Sequence, residues 1–179
     1  MSDQGGTLLL TTPYTTSESR SALYIAQTST WSVTTALRYY NDGHNGGSTT
    51  EVGLGFINSS SHNYSFVGAK TVAGGNSIFA VWTDANSHSS ASGTPQTQWV
   101  NNTGGIFMPS FVWYRITYGA TNRTYEISFD GVNFQQVYSE SRNTTFTPDA
   151  AAIIVSPKSG GATNTNLGAN LLVNIFDWH

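Results

Sequence analysis

Phe111 to Tyr138 reads FVWYRITYGATNRTYEISFDGVNFQQVY, and it predicts three antiparallel strands joined by two tight turns. Gly119-Ala120-Thr121-Asn122 closes the first hairpin and Asp130-Gly131-Val132-Asn133 the second. The first pairing can be counted outward from Tyr118 set opposite Arg123. Ile116 then faces Tyr125, Tyr114 faces Ile127 and Val112 faces Phe129, all apolar pairs. The alternate positions pair Thr117 with Thr124, Arg115 with Glu126 and Trp113 with Ser128. One register therefore yields an apolar face and a polar face that carries an opposite-charge pair. A slip by one residue destroys both.

The rest of the chain repeats this pattern of short strands and polar turns. Residues 1–6 read as a flexible lead-in to a single domain over 7–179. Strands are predicted at 7–12, stopped by Pro13, and at 22–27, 31–40, 51–57, 64–67 and 77–83. Order resumes at Trp99-Val100, and further strands are predicted at 151–156 and 170–178. Along 31–40 the set Trp31, Val33, Thr35, Leu37 and Tyr39 alternates with Ser32, Thr34, Ala36, Arg38 and Tyr40; the first set is the expected core. In Val52-Gly53-Leu54-Gly55-Phe56 the large residues point inward and the two glycines outward, which suits a bend or a close approach. The loops at 41–50, 84–98 and 157–168 are rich in Gly, Ser, Thr and Asn. Loops of such length in a compact domain are usually functional or mobile. Many short strands with turns at regular spacing imply an all-β sandwich.

Composition narrows the function. Charged residues are 9% of the 179, against an ordinary level of about 25%. Ser, Thr, Asn and Gly supply the polarity instead. Two Lys and four Glu are too few for long helices. Seven Lys and Arg spread over the chain, with a net charge of −3, form no basic patch to neutralise phosphates, so nucleic acid is not an expected partner. No apolar run reaches the roughly 20 residues of a membrane helix, and membrane insertion is not expected. Cysteine is absent, which excludes a disulfide scaffold and a thiolate metal site.

The run Trp113, Arg115, Ile116, Ser128, Asp130, Gly131 and Phe134 resembles a pattern common in concanavalin A-like lectin/glucanase domains. Val52-Gly53-Leu54-Gly55-Phe56, Ala152-Ile153-Ile154-Val155 and Ile175-Phe176-Asp177-Trp178 fit further strands of that fold, in order. The resemblance implies a jelly-roll sandwich of two antiparallel sheets, with the first and last strands adjacent. A second resemblance is compositional: the neutral polar surface is similar to distal domains of phage tail fibres and other virion proteins. It implies a virion location, contact with other virion proteins, and a homotrimer, since uncharged β surfaces suit lateral packing. The ending at Trp178-His179 is then expected to be a natural C-terminus, with residues 2–6 as the joint to a larger fibre.

Enzymatic chemistry is not expected. Glycoside hydrolysis needs two carboxylates about 5–9.5 Å apart. Laminarinase-type glucanases of the resembling family carry them as Glu-x-Asp-x-x-Glu. Here Glu126-Ile127-Ser128-Phe129-Asp130 has Ser128 at the middle position and lacks the last Glu. Glu126 and Asp130 lie roughly 13 Å apart along a strand. Asp130 is needed for its turn and Glu126 has Arg115 opposite. No Gly-x-Ser-x-Gly is present. His44, His62 and His88 lie in loops without metal-ligand spacing. Lectins of this fold often bind calcium, and Asp84-Ala85-Asn86-Ser87 has oxygens to offer, but it lacks a Gly turn and a closing carboxylate. No cofactor is expected.

A sugar needs a flat aromatic surface and side chains that exchange hydrogen bonds with hydroxyls. The candidates are Trp113, Arg115, Trp99, Trp82, Tyr40 and Arg38, with His44 and His88 in the overhanging loops. Gly53 and Gly55 are expected to leave a trough between Arg38-Tyr40 and Trp113. Trp113 among polar neighbours also fits a ring held partly buried beneath a loop. The expected function is non-enzymatic recognition of cell-surface glycan by a virion appendage. The alternatives are a bacterial lectin-like or carbohydrate-binding module and an architectural capsid or tail decoration protein without a ligand.

Overall fold

The computed structural model describes residues 8–13, 21–41, 49–72, 76–84, 95–102, 111–158 and 170–178. Among these, twelve strands form two antiparallel sheets of six. The strands are β1 (Leu8–Pro13), β2 (Ser21–Ala26), β3 (Trp31–Asn41), β4 (Thr49–Ile57), β5 (Tyr64–Val72) and β6 (Asn76–Asp84). They continue with β7 (Pro95–Asn102), β8 (Val112–Tyr118), β9 (Asn122–Ser128), β10 (Gln135–Ser141), β11 (Ala150–Lys158) and β12 (Asn170–Trp178). The first sheet runs β1-β12-β3-β8-β9-β10 and the second β2-β11-β4-β5-β6-β7. The first and last strands pair, with Leu8 opposite Ile175, as the jelly-roll resemblance implied.

Counting alone placed the β8–β9 register correctly over six pairs. Tyr118 faces Arg123, Ile116 faces Tyr125, Tyr114 faces Ile127, and the polar pairs Thr117–Thr124, Arg115–Glu126 and Trp113–Ser128 fall between them. Burial alternates along β8 as the period of two demands. The seventh expected pair, Val112 with Phe129, does not form. The Ser128 hydroxyl accepts the amides of Asp130 at 3.3 Å and Gly131 at 3.0 Å, which draws the chain out of the ladder. Phe129 is left 67% exposed.

One apolar core fills the space between the sheets. Val33, Leu37, Tyr114, Ile116 and Tyr125 of the first sheet meet Val52, Leu54, Phe56, Val67 and Ile153 of the second. Trp31 packs against this core as expected, and Thr35 is enclosed within it. The other side of β3 is less open than its polarity suggested, since Thr34 and Ala36 are buried as well. Aromatic edges lock the middle, with Phe56 and Tyr125 in a T-shaped contact at 5.2 Å.

Among the described residues, the middle of the second sheet, β4, β5 and β11, is buried on both faces. Ile57, Tyr64, Phe66, Ala150, Ala152 and Ile154 form a separate apolar cluster on its outer side. Gly53 and Gly55 lie on that side too, opposite Gly68 and Phe66. A methyl group at Gly53 would come within 2.6 Å of the Phe66 ring, and one at Gly55 within 2.7 Å of the Phe66 Cβ. The close approach that two outward glycines called for is made by β5, through the Val67 and Ser65 carbonyls and the Phe66 side chain. The glycines and Trp113 sit in different sheets, so the expected trough between Trp113 and Arg38-Tyr40 is not there.

Several boundaries moved. β7 takes in Pro95 to Gln98, which the sequence placed in a polar loop; as the edge of its sheet it has no need of an apolar pattern. β5 runs on past Val67 to Val72, and β11 past Ser156 to Lys158. β10 reaches Ser141 and carries an irregularity between Gln136 and Tyr138, where Val137 is the extra residue.

Candidate functional site

The outer face of the first sheet is built by β8 and β9. Trp113, Arg115 and Thr117 point outward beside Thr124, Glu126 and Ser128. Arg115 and Glu126 form a two-pronged pair, Nε to Oε2 at 2.6 Å and Nη2 to Oε1 at 2.7 Å. That planar fork is the strongest geometry a guanidinium has for a carboxylate. Hydrogen bonding to Glu126 raises the pKa of Arg115 against the opposing pull of partial burial. The guanidinium lies over the Phe134 ring, its central carbon 4.1 Å from the ring centre. Phe111 meets Trp113 edge-on at 6.0 Å. Ser32 of β3 extends the field of hydroxyls, its Oγ 3.0 Å from Thr117 Oγ1.

Trp113 is half-buried beneath the β9–β10 turn. Gly131, at φ +75°, approaches the indole so closely that a Cβ there would lie 2.7 Å from the ring. Only glycine meets both demands, a left-handed backbone and a missing side chain. The turn itself is tightly tied. Asp130 Oδ1 accepts the amides of Val132 at 2.9 Å and Asn133 at 2.8 Å, and the Ser128 hydroxyl at 2.8 Å. Asp130 Oδ2 accepts the Asn133 side-chain amide at 2.7 Å. These donors, chiefly Asn133 with Val132 and Ser128, hold the Asp130 carboxyl well below the usual carboxylate range.

The sequence candidates do not gather in one place. Trp113, Arg115, Arg38 and Tyr40 belong to the first sheet. Trp82 in β6, opposite Phe66, and Trp99, where the β6–β7 register shifts, belong to the second. The side chains of Tyr40, Trp82 and Trp99 lie outside the described residues, as do His44, His88 and residues 85–87 of the calcium-ligand stretch. The two candidates that sit together are Trp113 and Arg115, neighbours on one face of β8, joined by Glu126, expected only as the partner of Arg115, and by Phe134, which sequence reasoning left aside. Its signal was present, since Phe134 ends the same motif that Trp113 begins.

A second cluster lies inside the sandwich and was not foreseen. Arg123 is fully buried. Its Nε donates to Glu140 Oε1 at 2.6 Å and its Nη2 to the Thr144 carbonyl at 2.7 Å. Its guanidinium sits 4.6 Å from the centre of the Phe146 ring. Tyr125 donates to the same Glu140 oxygen at 2.7 Å and stands 2.6 Å from Ser65 Oγ. The phenol has one proton and a carboxylate accepts only, so Ser65 is the donor to Tyr125. Burial pushes the Tyr125 pKa well above its usual range, Arg123 opposes and Glu140 adds, so the phenol stays protonated. Thr144 also accepts the Phe146 amide at 2.8 Å, a three-residue turn centred on Thr145 at φ +70°. A branched residue there is strained.

Each described carboxylate side chain has a partner. Glu51 accepts from the Tyr64 hydroxyl at 3.1 Å, and Asp149 from the Ser59 amide and hydroxyl at 2.8 and 2.6 Å. Among the described residues no group of three His, Cys, Asp or Glu converges as a metal site.

No family model matches the chain, and no curated protein does. Solved structures resemble it in architecture. A functionally unknown protein from Saccharomyces cerevisiae is 14% identical, with a TM-score of 0.48, over 88% of this chain and 71% of its own. The GH43 protein BlXynB from Bacillus licheniformis is 11% identical, with a TM-score of 0.49, over 82% of this chain and 26% of its own. Lectin I-B4 from Griffonia simplicifolia, in its metal-free form, is 13% identical, with a TM-score of 0.41, over 83% of this chain and 70% of its own.

Proposed function

We propose that this chain is a non-catalytic glycan-binding domain of a virion appendage, acting through the outer face of its first sheet. The observation that carries the reading is Arg115 stacked over Phe134 on the same outer face as Trp113, its one cation already matched by Glu126. Such a face offers aromatic area and neutral hydroxyls, with its one cation paired and the Asp130 carboxylate of the turn as its remaining charge. A polyhydroxylated neutral ligand fits it better than an anion, a membrane or a nucleic acid. Catalysis is disfavoured because Glu126 and Asp130, the carboxylates of this face, are both tied up, one by Arg115 and one by its own turn. The virion setting is supported by composition, 9% charged residues on a Ser/Thr/Asn-rich chain, and so is a homotrimer contacting other virion proteins.

A glycan array tests the reading. The wild-type chain is expected to retain at least one class of neutral glycan, and Arg115→Ala to lose it. A folded wild-type chain that binds no glycan would sink the reading in favour of an architectural decoration protein. Sedimentation equilibrium is expected to return three times the chain mass; a monomer would remove the trimer and leave a lectin-like module.

A further inference from the structure

Among the described residues three large apolar side chains are exposed, and two of them, Phe129 at 67% and Val132 at 80%, share the β9–β10 turn. The third, Ile25, lies on β2 in the other sheet. We propose that this turn, through Phe129 with Val132 and Asn133, is the subsite that receives a sugar ring. The inference rests on the glycan-binding reading above and names the residues that carry it.

The exposure is built into the turn. Two backbone amides are held by Ser128 Oγ, two more by Asp130 Oδ1, and the whole turn is seated on the Trp113 indole through Gly131. Phe129 and Val132 are thus presented from a backbone already ordered, so a ligand meets little further entropy cost there. Phe129 and Val132 share one turn and are not scattered singly, so they form a small joint apolar patch.

Size and charge choose the occupant. An aromatic side chain buries about 150–250 Å² at most, whereas a stable protein partner covers roughly 800 Å² on each side. A phenyl ring and an isopropyl group fall short of that and match one pyranose. Between them stands Asp130, kept ionised by its turn, which opposes phosphate and opposes insertion into a bilayer. The same turn supplies groups for hydroxyls. Asn133 uses one amide hydrogen on Asp130, and among the described residues its Oδ1 and second amide hydrogen have no partner. Trp113, the candidate from sequence, has Gly131 packed against its indole and serves as the support beneath.

The test is affinity for the best array ligand, measured by titration calorimetry on folded wild type, Phe129→Ala, Asn133→Ala and Arg115→Ala, with thermal midpoints recorded alongside. Phe129→Ala is expected to keep its midpoint, because the ring is exposed, and to weaken binding about tenfold or more. Asn133→Ala is expected to weaken it less. Wild-type affinity in both turn variants, with loss only in Arg115→Ala, would overturn the subsite and leave the broader reading standing. No glycan bound by wild type would overturn both.

Discussion

Arg123 is the largest side chain that the described interior encloses completely, and it sits on an otherwise apolar inner face with Tyr125 and Ile127. Its Nη1 has no hydrogen-bond partner, and the Phe146 and Phe56 rings face the guanidinium instead. Removing one member of a buried pair strands the other, at a cost of about 3–5 kcal/mol, whereas replacing both by apolar groups is often neutral. Arg123→Met is therefore expected to lower the urea midpoint sharply, and Arg123→Met combined with Glu140→Leu to recover most of the loss. If the double variant is no better than the single, the pair itself stabilises the fold. Asp130 makes a prediction with pH. Its folded pKa lies below its unfolded value near 4, so its contribution is complete above that value and fades as pH falls further. Wild type is expected to exceed Asp130→Asn in thermal midpoint at pH 7, and the gap to narrow below about pH 4. A constant gap would assign the difference to something other than charge. Counting by twos assigned Arg123 its face correctly, because parity needs only sequence. It gave no hint of Glu140, since β10 was expected to end at Tyr138 and the partner arrives on the extension.

At the scale of strands, the β8–β9 hairpin is legible because both of its faces are specified, one apolar and one polar. The Gly119 amide bonds the Asn122 carbonyl at 2.8 Å, so the turn lies where glycine and asparagine put it. The expectation failed at Phe129, where an apolar residue at the right parity lay one step beyond the last ladder pair. Side-chain capping by Ser128 won over pattern there. β4 and β5 were read less fully, because outward glycines announce a close approach without saying what approaches. Gly53→Ala would drive a methyl against both the Phe66 ring and the Val67 carbonyl of the neighbouring strand. It is expected to cost several times the roughly 0.5–1 kcal/mol by which an unstrained Gly→Ala change shifts stability, read as a fall in chemical midpoint. Gly53→Ala in a Phe66→Ala background relieves only the ring contact, so a full rescue would show that the backbone contact is harmless.

Across the whole molecule, β8 and β4 are central, flanked on both sides by paired strands, while β10 and β7 close one side of the sandwich. Ser65 of the second sheet and Tyr125 and Glu140 of the first join the two layers through hydrogen bonds inside an apolar core. Amide exchange is expected to be slowest in β4 and β8 and faster in β10, which has one neighbour among the described strands. Protection in β10 equal to that in β8 would mean that something covers this edge in solution. The arrangement of layers was readable from alternation and turn spacing. The placing of candidates on different sheets was not, because strand order is set by pairings distant in sequence, such as β4 with β11. The edge strand β10 bears one last implication. It turns a carboxylate inward to Arg123 and interrupts its own ladder at Val137. Both devices discourage a second chain from adding a strand there. Copies that meet at this border must therefore do so through side-chain surfaces and not by zipping sheets together, which keeps crowded chains from growing into fibrils there.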